Sequence, residues 1–509
     1  MKAGRPRPQG WRQRGWLARA GYIAGTLAVV VAVAVSLGAY AIYRRLDGNI
    51  SVTKVSHLSG RSVYGVQNIL LLGSQTRQGQ RAGDLGSNPA LNTSNSDNLL
   101  LVHMDPTHTH AIVLSIPRDA MVYEPACQAR PSVGTGIMGP YQLAIIDGAM
   151  NIGGPSCAVA TVEDLTGIKL DHFVMFNFNS FRAMVDTIGG VEVCVPPSGY
   201  HDPYSGLNLS GGKHLLTYNQ ALAYVRTRHG VMAEGDVGGD LPRIELQQAF
   251  MSSVIQKVQT QGLLSNSVQL LKIADVATRA LTVDQGLASV SKLLSLAKSL
   301  TQLHARNVTL LTMPTITDPA NVNRLLPQEP ADDVIFQMVL DGQPWTGHLP
   351  TLPYQQVQVR VMNGTGLPGL AGKTAARLRA LGFDVIGTGN APATATTTVT
   401  YSGTAQADSA YTLMTGLKAT PAAQNQLAEP APQEGTAGPV TLDLGSDFTG
   451  VNAPATPHPA AKGGKAGSGK KVAAAGGTGG TSSQAVQSRN AAASICSGLP
   501  QANPNPGAP

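Results

Sequence analysis

Charged side chains lie in this sequence at places where predicted strands begin or end. Asp97 opens one apolar stretch, and Pro117 ends the next, which leaves Arg118 and Asp119 in a loop. Arginine offers paired donors to phosphate oxygens, and carboxylates are ligands that Mg²⁺ prefers. Taken singly, each arginine is better explained as a surface ion pair. Brought together by the fold, these residues would bind a pyrophosphate group.

Two later pairs of residues could complete the same site. Arg226 and Arg228 close a short helical stretch and are two residues apart, so they share a face only where the backbone is extended. Arg243 and Gln247 are four residues apart and therefore share one face of a predicted helix. Convergence of these arginines beside an acid is what binding of a pyrophosphate requires.

Residues 67–343 alternate between short apolar strands and helical patterns, which predicts one large α/β domain with helices packed on a sheet. A smaller α/β unit is predicted at 354–450. From residue 451 to 509 the chain is rich in Ala, Gly, Pro and Lys without apolar periodicity, which predicts a disordered tail. In the large domain, strands are predicted at 68–73, 98–103, 110–116, 172–178, 191–195 and 308–313, and helices at 157–166, 181–188, 243–261 and 285–300.

The smaller unit contains a glycine pattern that resembles a dinucleotide-binding motif. Gly364, Gly366 and Gly369 match G-x-G-x-x-G between a predicted strand and a predicted helix. The nearby acid, Asp384, opens the next strand and is poorly placed for a ribose, and no second nucleotide-binding half follows. We therefore predict a tight turn and no nucleotide site.

The charge of the chain is concentrated at its two ends. The 509 residues carry a net charge of +7, yet residues 1–45 contain eight Lys or Arg and no acid, and residues 452–509 contain five and no acid. The middle of the chain is therefore acidic, with a net charge of −6. A basic total would suggest nucleic acid, but this distribution excludes nucleic acid as the expected partner.

Residues 20–43 are uncharged and long enough to cross a bilayer as a helix. The basic segment 1–19 precedes them, so the positive-inside rule places it in the cytoplasm and the domains after a linker at 44–66 outside. The alternative is a cleaved signal peptide, whose apolar region is usually shorter. In either case the domains are exported.

Four cysteines are compatible with export. Cys127 and Cys157 flank a loop-rich stretch and could form a disulfide. Cys194 lies in an apolar strand, which favours a buried free thiol. Cys496 lies in the predicted tail and is expected to play no part in the fold.

Several blocks of the large domain resemble, in order, those of the LytR-CpsA-Psr family. Two are specific: Ile188–Val193, which reads IGGVEV, and Gln220–Arg228, which reads QALAYVRTR. In the smaller unit, Val359–Gly366 and Val440–Phe448 resemble the LytR C-terminal domain that actinobacterial members often carry. The other blocks are 68–77, 94–102, 115–119, 145–154, 161–171, 185–195, 214–229 and 240–248.

The resemblance implies a mixed β-sheet sandwiched by helices, with an apolar pocket for a prenyl chain. It also implies a membrane-anchored phosphotransferase that moves a glycopolymer from a polyprenyl-pyrophosphate carrier to peptidoglycan through a phosphodiester. Mg²⁺ is the implied cofactor, with Mn²⁺ as the alternative ion, and pyrophosphate hydrolysis is the implied side activity. The runner-up function is a non-catalytic polyprenyl-pyrophosphate binding or regulatory protein of the envelope. Transcriptional regulation would require the domains to face the cytoplasm.

The resemblance assigns roles to individual residues. Asp97 matches a family Mg²⁺ ligand, and Arg243 matches a further arginine of the site. The remaining matches are to pyrophosphate-binding positions: Arg118, Arg226, Arg228 and Gln247. The three arginines of this set are also the expected catalytic residues.

Three positions depart from the family pattern. Gln75 replaces the acid expected as the second metal ligand, and its amide oxygen would coordinate Mg²⁺ more weakly than a carboxylate does. Asn95 and Leu246 each replace an arginine. These departures affect the expected metal affinity and rate more than the class of ligand.

Overall fold

The computed structural model describes most of the chain with its side chains. The described residues are 11–56, 58–59, 65–74, 95–130, 136–138, 142–228, 241–260, 267–425, 438–453 and 486–496. Gln75, one of the predicted metal ligands, lies outside them.

Within these ranges the chain forms 23 strands and 11 α-helices. The strands are β1 (Ser51–Val52), β2 (Gln67–Ser74), β3 (Ser96–Met104), β4 (Ala111–Ile116), β5 (Met121–Glu124), β6 (Cys127–Gln128), β7 (Ile137–Met138), β8 (Gln142–Ile145), β9 (His172–Phe176), β10 (Val191–Val195), β11 (Tyr200–Asp202), β12 (Leu207–Leu209), β13 (Gly212–Leu216), β14 (Leu281–Val283), β15 (Val308–Thr312), β16 (Thr315–Asp318), β17 (Asn321–Pro327), β18 (Gln358–Asn363), β19 (Asp384–Asn390), β20 (Thr398–Tyr401), β21 (Ala422–Asn425), β22 (Val440–Leu444) and β23 (Ser488–Asn490). The helices are α1 (Trp11–Asn49), α2 (Ala149–Gly153), α3 (Pro155–Thr166), α4 (Phe178–Thr187), α5 (Tyr218–Arg226), α6 (Leu241–Thr260), α7 (Ser267–Ala280), α8 (Val290–Gln302), α9 (Ala331–Leu340), α10 (Leu370–Leu381) and α11 (Thr404–Thr415).

The large domain is built on an eight-stranded sheet in the order β1-β14-β9-β2-β3-β4-β15-β23. The sheet is mixed: β2, β3 and β4 pair antiparallel, whereas β9 and β15 join them in parallel. Alternate side chains bury on opposite faces, with Leu70 and Leu101 in one apolar core and Ile69 and Leu100 in the other. Helices cover both faces, so the predicted mixed sheet between helices is confirmed.

The smaller unit is a five-stranded sheet in the order β19-β18-β22-β20-β21, with α10 and α11 packed on it. Its apolar core is continuous with α9, against which α11 packs, and the Tyr401 hydroxyl donates to Asp333 of α9 at 2.7 Å. Gly366 and Gly369 have positive φ angles of 75° and 76° at the start of α10. These angles explain the glycine pattern as the predicted tight turn.

By its length and composition, the segment Arg19–Asn49 of helix α1 could cross a membrane. The helix continues past residue 43 to Asn49, where Leu46 is buried and Asp47 accepts a hydrogen bond from the Val290 amide at 3.1 Å. Residues 51–52 then pair with β14. The first part of the predicted linker 44–66 is therefore an ordered connection to the sheet. Strand β1 has only two residues, so the sequence shows no strand pattern there.

The structure contains two disulfides. The Cys127–Cys157 bond confirms one predicted pair. The Cys194–Cys496 bond contradicts two predictions, because Cys194 is not a free thiol and Cys496 is part of the fold. The prediction of disorder from residue 451 is wrong for residues 486–496, which include β23. Their order comes from edge pairing with β15 and from this disulfide, neither of which leaves an apolar period in the sequence.

Candidate anion-binding site

Strand pairing brings the first two site residues together. Leu99 on β3 pairs with Ile116 on β4, so Asp97, near the start of β3, and Arg118, just after β4, lie at the same end of this strand pair. Arg118 Nη1 donates to Asp97 Oδ1 at 2.6 Å, and Arg118 Nε lies 3.5 Å from Asp119 Oδ1. The guanidinium is therefore held between two carboxylates.

Helix α6 supplies a second arginine to the same carboxylate. Arg243 is 5% exposed, and its Nη2 donates to the Asp97 backbone oxygen at 3.0 Å, while Nη1 lies 3.7 Å from Asp97 Oδ1. Asp97 thus faces two guanidinium groups from different parts of the fold. These contacts bring Asp97, Arg118 and Arg243 together.

Asp147 is a member of this cluster that the sequence analysis did not select. Its backbone amide donates to the Arg118 oxygen at 3.3 Å, and Asn95 Nδ2 donates to its Oδ2 at 3.4 Å. Burial raises the pKa of Asp147 to about 6; the Arg118 charge opposes this shift, and Asp119 adds to it. The signal that could have revealed it is an acid directly after strand β8, within one of the family-like blocks.

Arg226 and Arg228 are placed by the end of α5. Arg226 ends the helix, and Thr227 is extended, with φ −63° and ψ 132°, which meets the condition for the two arginines to share a face. Arg226 Cζ lies 5.2 Å from the centre of the Phe178 ring, and the Arg228 amide donates to Asp202 Oδ2 at 3.1 Å. The helix end is fixed by backbone and ring contacts.

Gln247 connects the two parts of the site. Its Nε2 donates to the Val225 oxygen at 2.9 Å, one residue before Arg226, and it lies one helical turn from Arg243 on α6. In this structure the amide of Gln247 positions the end of α5. Through α6, these contacts tie the end of α5, with Arg226 and Arg228, to the Asp97 cluster.

The departures at Asn95 and Leu246 have different structural consequences. Asn95 lies in the cluster and contacts Asp147, as described above. Leu246 is fully buried in an apolar core with Tyr224 and Phe250. The arginine expected from the family pattern is therefore replaced by a polar side chain within the cluster at position 95 and by an apolar core side chain at position 246.

Among the described residues, no group of three or more His, Cys, Asp or Glu side chains is arranged to hold a metal ion alone. The cluster instead mixes acids with arginines. Such a site can bind an anion through its guanidinium groups, and any cation through Asp97 would need oxygen ligands from the anion and from water.

Sequence comparison finds two matching families. The LytR_cpsA_psr family profile matches residues 31–335, and the profile described as LytR cell envelope-related transcriptional attenuator matches residues 356–448. The first covers the large domain, and the second covers the smaller unit.

Three curated relatives illustrate the similarity. The cell wall biosynthesis protein LcpA of Corynebacterium glutamicum is 29% identical over 365 residues, which are 65% of this chain and 68% of that protein. The probable cell wall biosynthesis protein LcpB of the same organism is 31% identical, over 52% of this chain and 58% of that protein. The polyisoprenyl-teichoic acid–peptidoglycan teichoic acid transferase TagU of Oceanobacillus iheyensis is 30% identical, over 40% of this chain and 56% of that protein.

Solved structures include a LytR-Csp2A-Psr enzyme from Actinomyces oris, which is 23% identical with a TM-score of 0.44 and covers 57% of this chain and 96% of that one. The family assignment depends on the profile match, which spans more than half of the sequence. The chain belongs to the LytR-CpsA-Psr family and carries a LytR C-terminal domain.

Proposed function

We propose that this protein is a membrane-anchored phosphotransferase that moves a glycopolymer from a polyprenyl-pyrophosphate carrier to peptidoglycan through a phosphodiester bond. The observation that supports it best is the placement of Arg118 and Arg243 around Asp97. Two guanidinium groups beside one carboxylate suit an anion with several phosphate oxygens. The names of the relatives LcpA and TagU, a cell wall biosynthesis protein and a teichoic acid transferase, support the same direction.

In the proposed reaction, a hydroxyl oxygen of peptidoglycan, the muramic acid 6-hydroxyl, attacks the phosphorus nearest the sugar. The bond from that phosphorus to the bridging oxygen breaks, polyprenyl phosphate leaves, and the hydroxyl proton passes to solvent. Arg118, Arg226 and Arg228 stabilise the negative charge that develops on the pyrophosphate oxygens. Arg243 and Gln247 bind and orient the same group.

Mg²⁺, or Mn²⁺ in its place, is the proposed cofactor, with Asp97 as its carboxylate ligand and Gln75 as an amide ligand. Asp97 fits this role because Mg²⁺ in phosphate sites commonly keeps several waters and uses only one or two carboxylates. When bound there, the ion would neutralise charge on the pyrophosphate. An amide at position 75 predicts weaker metal binding than two carboxylates would give.

The proposed location is the cell membrane, with α1 as a single span, residues 1–19 in the cytoplasm and both domains outside. The basic residues before the apolar segment support this orientation. Both proposed partners, the lipid-linked glycan and peptidoglycan, would then meet the domains on the outer side.

The test is an assay of the purified full-length chain with a polyprenyl-pyrophosphoryl glycan, Mg²⁺ and peptidoglycan. Release of polyprenyl phosphate together with glycan bound to peptidoglycan is the expected result. Release of polyprenyl phosphate without glycan transfer would show that the protein only hydrolyses the pyrophosphate. Binding of the lipid without either product would replace the enzyme with a non-catalytic binding protein.

A further inference from the structure

One stripe of helix α6 contacts the C-terminal segment 486–496, which we call the clasp. Gln487 Nε2 donates to Glu245 Oε1 at 2.9 Å, and Arg489 Nε donates to the Ser252 hydroxyl at 3.2 Å. One turn further along α6, Gln256 Nε2 donates to two clasp carbonyls, those of residues 491 and 493, at 2.7 and 2.9 Å. The clasp therefore follows α6 over about three helical turns.

The clasp is also part of the main sheet. Strand β23 pairs antiparallel with β15, and backbone hydrogen bonds extend the pairing from Thr312 to Gln487 and from Ala491 to Val308. Ala491 is fully buried in the apolar core beneath α6. The clasp thus covers an edge of the sheet that would otherwise expose unpaired backbone groups.

The clasp closes covalently on a second element that packs against α6. Cys496 forms a disulfide with Cys194 of β10. Lys257 of α6 donates to the carbonyls of Gly189 and Gly190, directly before β10, at 3.0 and 2.7 Å. Helix α6 is therefore held between the sheet edge and β10, and the clasp connects these two supports.

The stripe of α6 that contacts the clasp lies opposite the residues of the anion site. Glu245, Ser252 and Gln256 follow one side of the helix, whereas Arg243 and Gln247 project from the other, given 3.6 residues per turn. Movement of α6 away from the clasp would carry both site residues with it, because a helix moves as a unit.

We propose that the clasp is a positioning element that holds α6 so that Arg243 and Gln247 meet the anion. The identity of that anion rests on the proposed function, whereas the positioning itself does not. The clasp contacts described here go to α6, β15, β10 and the Arg306 carbonyl, and none of them involves the side chains of the anion site. The clasp therefore acts on the ligand through α6.

The experiment uses the full-length protein in detergent and a chain that lacks residues 486–509. The probe is farnesyl pyrophosphate with Mg²⁺, and hydrogen exchange of residues 241–260 reports on α6. Removal of the clasp should raise the Kd of the probe by about tenfold, which corresponds to 1.4 kcal/mol, and should speed exchange in α6. The matched control lacks only residues 497–509, keeps the clasp, and should behave as the full-length chain.

A double-mutant cycle separates positioning from general destabilisation. In an Arg243→Ala background, removal of the clasp should cause much less additional loss of probe affinity, because the positioned side chain is already absent. A synthetic peptide of residues 486–496 should restore affinity to the truncated chain when its cysteine can bond to Cys194. If the truncated chain does not fold, the Cys194→Ser and Cys496→Ser double substitution replaces it in both measurements.

Unchanged exchange of α6 after loss of the clasp would overturn the proposal, whether or not the chain binds pyrophosphate. Full additivity in the double-mutant cycle would also overturn it, since the clasp would then act only on stability. Failure of the intact chain to bind the probe would instead contradict the proposed function and leave the exchange measurement to decide the role of the clasp.

Discussion

The two sides of helix α6 hold acidic groups in opposite ways. On the side of the anion site, Arg243 contacts Asp97, and Asp97 also accepts a hydrogen bond from Arg118. On the other side, Glu245 accepts a hydrogen bond from the Gln487 amide, and burial raises its pKa to about 7. Guanidinium groups paired with a carboxylate can exchange that partner for phosphate oxygens, whereas the amide contacts offer no charge to an anion. One side is therefore suited to bind a ligand, and the other to fix the helix.

The largest effect is expected for Arg243→Ala, which removes a nearly buried cation. Transfer should fall by about 10²–10³-fold, the usual loss for one charge-stabilising donor. The free energy of unfolding should fall by about 2–3 kcal/mol because Asp97 loses one of its two cations. Denaturant unfolding and the transfer assay measure the two effects. Arg243→Lys keeps the charge, but its single ammonium group cannot contact both the backbone oxygen and Oδ1 of Asp97, so the transfer rate of this variant should remain low. Full activity would show that charge alone suffices.

Arg226→Ala should affect transfer without comparable loss of stability. Transfer should fall by about 10²-fold or more, while loss of the contact with Phe178 should cost about 0.5–1 kcal/mol of unfolding free energy. The control is Arg182→Ala, since Arg182 lies over the Tyr218 ring at 4.4 Å in a similar contact away from the site. Equal activity of the Arg226 variant and the intact protein would remove Arg226 from the site.

Gln75→Asp should make the anion site bind Mg²⁺ more tightly. The added carboxylate should lower the Mg²⁺ concentration for half-maximal transfer by about tenfold, or 1.4 kcal/mol. Gln78→Asp adds the same charge three residues away and should leave this concentration unchanged. If Gln75→Asp lost activity, the site would have to be regarded as rebuilt around the amide.

Glu245→Gln, on the fixed side of α6, should have the smallest effect on transfer and should change stability in a pH-dependent way. Because the folded protein holds the Glu245 proton up to about pH 7, whereas the ordinary pKa is 4.5, this group lowers stability progressively as pH rises between these values. The substitution removes that loss, so the variant should gain up to about 3 kcal/mol relative to the intact protein at pH 8 and little at pH 4. The exposed Glu192→Gln control should show no such pH dependence. A constant difference at all pH values would assign the effect to the hydrogen bond instead.

Much of the large domain could be predicted from local patterns. The strand at 191–195 matches β10, and the helix at 243–261 matches α6 to within two residues. The helix predicted at 285–300 is divided, because Asp284 caps a short turn and Ser289 caps α8 separately. Helix α9 was not predicted, because most of its residues are buried, Asp332 and Asp333 included, and the sequence therefore shows no clear division into an apolar and a polar face.

The candidate site was predictable in its residue types but not in its full membership. Asp97 and Arg118 could be selected from the sequence, since each lies at the end of a short apolar stretch. Asp147 was missed because its partners, Asn95 and Arg118, are distant in sequence and no pattern joins them. Leu246 suggested a lost arginine, but the fold places that side chain in an apolar core.

The amino-acid sequence by itself determined the α/β alternation, the apolar N-terminal segment, the glycine turn and the arginines that could bind an anion, because these depend on neighbouring residues. Only the tertiary structure decided which acids meet those arginines and where the C-terminal segment binds. The bond between Cys194 and Cys496 spans 302 residues, and the pairing of β23 with β15 joins residues about 180 positions apart. Contacts of this kind arise from the packing of the whole chain, so no local pattern records them.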